Sequence, residues 1–334
     1  MIPTFIGITA LVFTILQIVP GGPFEQELLR FKMAAMTSSE GGGGGGSGTG
    51  TIEIPEEALK KLKEYYGLDK PAHMRYLIWL KKIIQLDLGK SYKYSEPVWS
   101  LIKDRIHISA YFGIISFLLS YLICIPLGIF KAIKHGSVFD KVSSAIVFAG
   151  YSIPGFILGA VLLVYFGGGS FWDVFPLGEF RSEDYEYFTF WGKIQNQLHH
   201  TILPVMAYMV GAFASLTVLM KNSLLENLSQ DYVRTAFAKG LSEKRVIFFH
   251  AVRNSLIPLA TGIGSLLGIW LAGSYLIERV FNIDGIGMLG YTSILSRDYP
   301  VTLGFLVVAT IIKLLGNLLS DICYAAIDPR IRFK

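Results

Sequence analysis

Long apolar runs separated by short polar stretches dominate this chain. Six of them reach or approach the ~20 residues that carry a helix across a bilayer: residues 3–19, 108–130, 142–166, 203–220, 257–277 and 301–327. No other window of that length is apolar enough to compete. The pattern predicts an all-α membrane protein with six transmembrane helices. Composition agrees, with 52% hydrophobic and only 16% charged residues, against roughly 25% charged in ordinary soluble domains.

Lys and Arg in the short loops set the expected orientation. Lys131, Lys134 and Lys141, then Lys221, Arg234, Lys239, Lys244, Arg245 and Arg253, then Arg330, Arg332 and Lys334 all fall on one side. The opposite loops carry Arg181, Lys193, Arg279 and Arg297. Twelve against four puts both termini and the loop 221–253 in the cytoplasm. Residues 1–19 read as a retained first helix. Met1-Ile-Pro3 is no basic n-region, and Val19-Pro-Gly-Gly-Pro23 is a poor signal-peptidase site.

Residues 20–107 form a long external segment on this reading. Within it, 37–50 (TSSEGGGGGGSGTG) is expected to be a flexible coil, equally compatible with an engineered linker and a natural low-complexity insertion. Gly41 and Gly46 have the glycine spacing of a phosphate loop, but Ser47-Gly48 stands where Lys-Ser/Thr is required. The chain is therefore not expected to bind or hydrolyse ATP itself. Pro55 to Gly67 and His73 to Leu86 read as two short helices on the outer membrane surface. The second carries Tyr76, Leu77, Leu80, Ile83 and Ile84 on one face.

Candidate chemistry is sparse. Cys124 and Cys323 fall inside predicted spans and are expected to pack rather than pair. The six histidines show no ligand spacing, so no metal site is expected, and His199-His200 reads as an interfacial polar pair. Pro126, Pro154 and Pro258 are expected to mark kinks or ends. Gly155-xxx-Gly159 and Gly264-xxx-Gly268 are small-residue packing faces. Pro154 and Gly264 are gate candidates, with static packing the plainer alternative. Lys313 sits mid-span, with Asn317 and Asp321 on the same face; a lysine there calls for protein or water. Lys313 and Asn317 are pathway candidates.

The richest stretch is the polar loop after residue 220. Asp231-Tyr-Val-Arg-Thr-Ala-Phe-Ala-Lys-Gly240 combines small residues, a glycine and basic groups, with Lys244 and Arg245 following. Ala236 and Ala238 would permit close backbone approach, and Gly240 a sharp turn. Arg234, Lys239, Lys244 and Arg245 could donate charge-assisted bonds. Such a loop suits a docking surface for a soluble partner, and equally a solvated basic loop.

This stretch resembles the coupling loop of ATP-binding-cassette importer permeases, in the variant found in peptide permeases. Thr235-Ala236 replaces the general Ala-Ala, and Arg253 stands where many families have Pro. Pro20-Gly-Gly-Pro23, Tyr66-Gly-Leu-Asp-Lys-Pro71, Leu88-Gly-Lys-Ser91, Ser296-Arg-Asp-Tyr-Pro300 and Asp328-Pro-Arg330 extend the resemblance along the chain. Gly150-Tyr-Ser-Ile-Pro154, Gly167-Gly-Gly-Ser170 and Ser320-Asp-Ile-Cys-Tyr324 are similar to Yej-type permeases, which the resemblance associates with oligopeptides and the antibiotic microcin C.

What the resemblance implies is a type I importer permease fold in the bacterial inner membrane. Residues 1–19 would be the first helix, 20–107 the external segment, 108–327 the permease core and 328–334 a cytoplasmic tail. It implies a heterodimer with a second permease, cytoplasmic ATP-binding subunits and an extracytoplasmic peptide-binding protein. ATP would be bound by the partner subunits, with no cofactor in this chain. Asp231, Arg234, Thr235, Ala236, Ala238, Lys239, Gly240, Lys244 and Arg245 would form the ATPase contact. Lipid is the other expected partner, and nucleic acid is not. The alternatives are a secondary peptide transporter or channel, or a non-transporting scaffold. The near absence of acids in the spans argues against ion coupling.

Overall fold

The computed structural model describes residues 1–19, 21–22, 24–25, 28–29, 56–65, 69–169, 171–260 and 274–327. Among these the secondary structure is helical, with only isolated bridges at Lys90–Pro97 and Gly167–Phe175. Gly264, the glycine-rich stretch 37–50 and the tail 328–334 lie outside the described residues.

Among the described residues, three helices are long and apolar enough to cross a membrane: α4 (Val98–Ile133), α7 (Phe190–Leu228) and α11 (Tyr299–Ile327). They contain the second, fourth and sixth predicted runs. The first run forms α1 (Ile2–Ile18), apolar but shorter. Most of the fifth run, residues 261–273, is outside the described residues. The third run is not one straight span. It forms α5 (Val138–Tyr151) and α6 (Gly155–Phe166), bent by 95°. The break has a local cause: Pro154 lacks an amide donor and biases Ile153 away from helical backbone. Pro126 and Pro204, by contrast, lie inside α4 and α7 without ending them.

The chain divides into two compact units. One comprises Met1–Ile102 with Gly290–Thr310. Here α3 (Ala72–Ile84) packs on α1: the Tyr76 ring meets Phe13 edge-on at 5.4 Å, and its hydroxyl lies 3.0 Å from the buried Thr9 hydroxyl. The amphipathic face expected here is divided. Ile83 is buried, but Leu77 and Ile84 are 60% and 78% exposed. Leu77 lies only one position from Tyr76, so a helix that seats Tyr76 on α1 turns Leu77 about 100° away. A second helix, α2 (Glu56–Tyr65), precedes it.

Two sequence motifs of this unit meet at a single carboxylate. Buried Asp298 accepts from the Ser91 hydroxyl and from the amides of Tyr92 (3.2 Å) and Lys93 (3.3 Å). The Tyr94 amide donates to Ser91 Oγ at 2.8 Å. The motif at 88–91 is thereby tied to the one at 296–300.

The other unit comprises Lys103–Leu289 and Ile311–Lys334. One apolar cluster joins α4, α6, α7 and α9 (Tyr275–Val280) around Phe112, Leu162, Leu203 and Ile277. Small residues let these helices approach. A Cβ on Gly155 would stand 2.4 Å from the Ala207 carbonyl oxygen, and one on Gly159 would stand 2.8 Å from the Phe281 ring. The small-residue face at 155–159 is thus a packing face. Cys124 is buried, as expected. His200 is buried, and its ring nitrogens lie 3.1 Å from the Ser182 hydroxyl and 2.7 Å from the Gly178 carbonyl. It anchors the 178–182 loop, while neighbouring His199 remains exposed.

Candidate functional site

The loop after α7 folds as a short helix, α8 (Asp231–Ala238), with two unlike faces. Val233 and Ala236, three residues apart, point inward and are 1% and 7% exposed. They join a buried cluster with Ile129, Ala132, Met220, Leu224, Val246 and Ile247. The helix is therefore seated on the ends of α4 and α7 by apolar burial, worth roughly 25 cal/mol per Å².

The remaining face is open. Asp231, Arg234, Thr235, Ala238, Lys239, Gly240, Lys244 and Arg245 are all exposed. Arg234 reaches Asp231 at 3.6 Å, with both side chains largely in solvent; such a pair contributes little stability and leaves the guanidinium available. Tyr232 and Phe237 add partly exposed rings, and the Tyr232 hydroxyl donates to Asn227 Oδ1 at 2.8 Å. One of the residues expected at the contact is buried within the chain. Ala236 faces the chain's own core, because its spacing from Val233 puts it on the apolar stripe. Its small size serves internal packing.

Gly240 ends the helix. Its φ of +79° is the left-handed conformation that glycine adopts at little cost. The amide of Gly240 donates to the Phe237 carbonyl at 2.9 Å. A Cβ there would touch nothing within 4 Å, so the requirement is conformational. Beyond it, Val246–Ala251 forms a π-helical turn. The wider turn buries Val246, Ile247, Ala251 and Val252 while Phe248, Phe249 and His250 face out.

Beside this loop lies a charged centre that sequence reasoning counted only as loop charge. Asp140 and Lys131 are both buried. Lys221 Nζ donates to both Asp140 oxygens at 2.7 Å, and Lys131 Nζ lies 3.4 Å from Oδ1. Lys131 also donates to the hydroxyls of Ser143 (2.8 Å) and Ser144 (2.7 Å) and to the Asp140 carbonyl (3.1 Å). The Gly136 amide donates to Asp140 Oδ2 at 3.1 Å, and exposed His135 lies 3.4 Å from the same oxygen. The Lys221 hydrogen bonds hold the Asp140 carboxyl well below the usual carboxylate range; Gly136 and Lys131 add to this and burial opposes it. The signal was present as a lone acid between lysines at two apolar-run ends, with Ser137 capping its helix. Their convergence is tertiary.

The gate and pathway candidates do not gather in one place. Pro154 marks the bend between α5 and α6. Lys313 and Asn317 lie exposed along α11 with Asp321, and Lys313 has no ion-pair or hydrogen-bond partner among the described residues. Another buried carboxylate, Glu278, was also missed. It accepts from Ser109 Oγ at 2.7 Å and from the Met288 amide at 2.6 Å, near the start of α10 (Ile286–Leu295). Among the described residues no three His, Cys, Asp or Glu side chains cluster as metal ligands would.

Comparison with known proteins places the chain. Residues 124–333 match the family described as binding-protein-dependent transport system inner membrane component. The "Peptidoglycan transport system permease protein YejB" of Agrobacterium fabrum is 39% identical, covering 100% of this chain and 96% of that protein. The "Inner membrane ABC transporter permease protein YejB" of Escherichia coli is 40% identical with the same coverage. The "Dipeptide transport system permease protein DppB" of Escherichia coli is 34% identical, again over 100% and 96%. Among solved structures, a chain of the inward-facing MetNI methionine ABC transporter aligns with a TM-score of 0.49 and 18% identity, over 69% of this chain and 99% of that one. The chain belongs to the family of inner membrane components of binding-protein-dependent transport systems, and is a multi-pass permease of the ABC type.

Proposed function

We propose that this chain is one permease subunit of an ATP-driven importer of oligopeptides, with peptide antibiotics such as microcin C within its range. Six helices of the type I arrangement would span the inner membrane. Both termini would be cytoplasmic, with residues 20–107 outside. A second, homologous permease completes the pathway as a heterodimer, an external binding protein delivers the peptide, and cytoplasmic subunits bind and hydrolyse ATP.

The observation that carries this reading is the two-faced helix at 231–238. Its inner face is part of the permease core, and its outer face offers Arg234 and Lys239 with the Tyr232 and Phe237 rings, followed by Lys244 and Arg245. Arg with aromatic groups is the composition that dominates protein–protein contacts. The small exposed Ala238 leaves room for a partner's backbone. The relatives named for oligopeptide and dipeptide transport support peptide as the cargo.

The test is co-purification with an ATP-binding subunit, and ATP hydrolysis by the assembled complex stimulated by peptide-loaded binding protein. Arg234→Glu combined with Ala238→Glu should weaken ATPase association roughly thirty-fold while leaving the unfolding midpoint unchanged. Gly240→Val should uncouple hydrolysis from transport, because a β-branched residue strongly disfavours positive φ. Ala236→Glu is unsuitable as an interface variant, since it would bury a charge in the cluster. Full ATPase coupling in both Arg234→Glu/Ala238→Glu and Gly240→Val, or peptide uptake independent of ATP, would overturn the proposal.

Lys313 and Asn317 are assigned to the translocation path or the companion permease. A cysteine at 313 should react with a water-soluble thiol reagent in at least one nucleotide state if it lines the path. Inertness in every state, with and without the second permease, removes it from the path.

A further inference from the structure

The unit formed by Met1–Ile102 and Gly290–Thr310 contains a cleft of about 550 Å³ that none of the transport roles uses. Its lining is mixed. Phe13 and Leu16 of α1 and Trp79 of α3 contribute apolar surface, and Lys70, Arg75, Lys82 and Lys90 contribute four cationic groups.

Among the described residues no carboxylate forms an ion pair with these cations. Arg75 Nη1 donates to Gln17 Oε1 at 2.6 Å, but Arg75 Nε is buried without a hydrogen-bond partner. A buried donor on a charged group is costly when unsatisfied, so an acceptor is missing at this position. Two carboxylates line the same cleft. Glu25 accepts from the Gly21 amide and Asp87 from the Gly89 amide at 2.9 Å. Neither makes an ion pair with Lys70, Lys82 or Lys90 among the described residues, and the lining retains an excess of two positive charges.

The surroundings restrict what the anion can be. α3 exposes Met74, Leu77, Ile78 and Ile84, with Leu86 just beyond, and carries Lys81 and Lys82 in its last turn. That is the composition of a helix lying in a membrane interface. α1 exposes Ile6, Leu11, Ile15 and Ile18 along its length. An occupant here meets positive charge at the cleft and hydrocarbon-compatible surface on both flanks. A free anion would leave those flanks unexplained.

We propose that the cleft binds the headgroup of an anionic phospholipid. A phosphate oxygen accepts from the Arg75 guanidinium, Lys82 and Lys90 balance the remaining charge, and the acyl chains lie over the exposed apolar faces of α1 and α3. The bound lipid would fix α3 on α1 at the bilayer surface. Nothing in this depends on peptide transport, and its test uses the isolated full chain.

The experiment is native mass spectrometry of the full-length chain in detergent, titrated separately with phosphatidylglycerol, phosphatidylcholine and inorganic phosphate. Phosphatidylglycerol should be retained, phosphatidylcholine should not, and millimolar phosphate should leave the lipid adduct in place. Arg75→Gln combined with Lys82→Gln should weaken retention roughly thirty-fold, and Lys90→Gln alone roughly fivefold. The exposed Lys90 variant keeps the test valid if the double variant fails to fold. Undiminished retention in Lys90→Gln and in a folded double variant would overturn the proposal. So would equal retention of phosphatidylcholine, or displacement by phosphate, which would make this a free-anion site.

Discussion

Replacing Asp140 by Asn should destabilise the protein by about 3–5 kcal/mol, the cost of removing one partner from a buried ion pair. The carboxylate is the only acid within ion-pair distance of Lys131 and Lys221 among the described residues, and Lys131 is 1% exposed. An amide of the same shape keeps one acceptor oxygen but leaves two ammonium groups without a counter-charge. Thermal unfolding in detergent measures the loss. Adding Lys221→Met to the variant should recover part of it, because the two substitutions share one interaction. The pH dependence follows from the lowered Asp140 pKa. A carboxyl whose folded pKa is depressed stabilises fully above its unfolded value near 4. That contribution disappears as pH falls from about 4 toward the lower folded value. Wild type should therefore lose stability over this acid range more steeply than Asp140→Asn. Parallel curves would exclude a stabilising role for the cluster.

Gly155→Ala should destabilise, at the upper end of the ~1–3 kcal/mol typical of overpacking. The added methyl meets the Ala207 carbonyl oxygen at 2.4 Å, and that oxygen belongs to the backbone of a long helix. It cannot swing aside as a side-chain terminus could. Gly211→Ala is the matched control within α7: nothing lies within 4 Å of its Cβ position. There alanine should stabilise by about 0.5–1 kcal/mol through helix propensity. Opposite signs for the two substitutions are the expected result. A stabilising Gly155→Ala would mean that α6 and α7 are not in backbone contact at this point.

Apolar run length made the long helices legible, because burial in lipid and helical hydrogen bonding impose the same ~20-residue scale. α4, α7 and α11 each contain a predicted run. The 95° break at Pro154 was half legible: proline announced a kink, but its size depends on α6 seating against Ala207. The two-faced helix at 231–238 was read for its polar face. Val233 and Ala236 were one helical turn apart in the sequence, yet their burial depended on Met220 and Leu224 arriving from another helix. The partners of Asp140, Glu278 and His200 were missed for the same reason. Each lone polar residue gained its role from partners as many as 169 positions away, as in the Ser109–Glu278 contact. Leu77 and Ile84 were read with Tyr76 and Ile83 as one apolar face, but an apolar stripe does not state whether protein or lipid will cover it.

The buried seat of α8 has a mechanical consequence. Interiors are close-packed and transmit strain, and even a methylene-sized void is felt. Val233 and Ala236 share their cluster with Ile129 and Ala132 of α4 and with Met220 and Leu224 of α7. A push on the exposed side of α8 would have to open that cluster or carry both helix ends along. The loop consequently has little slack: a displacement of about one ångström would reach the two long helices as motion, with little lost to bending on the way.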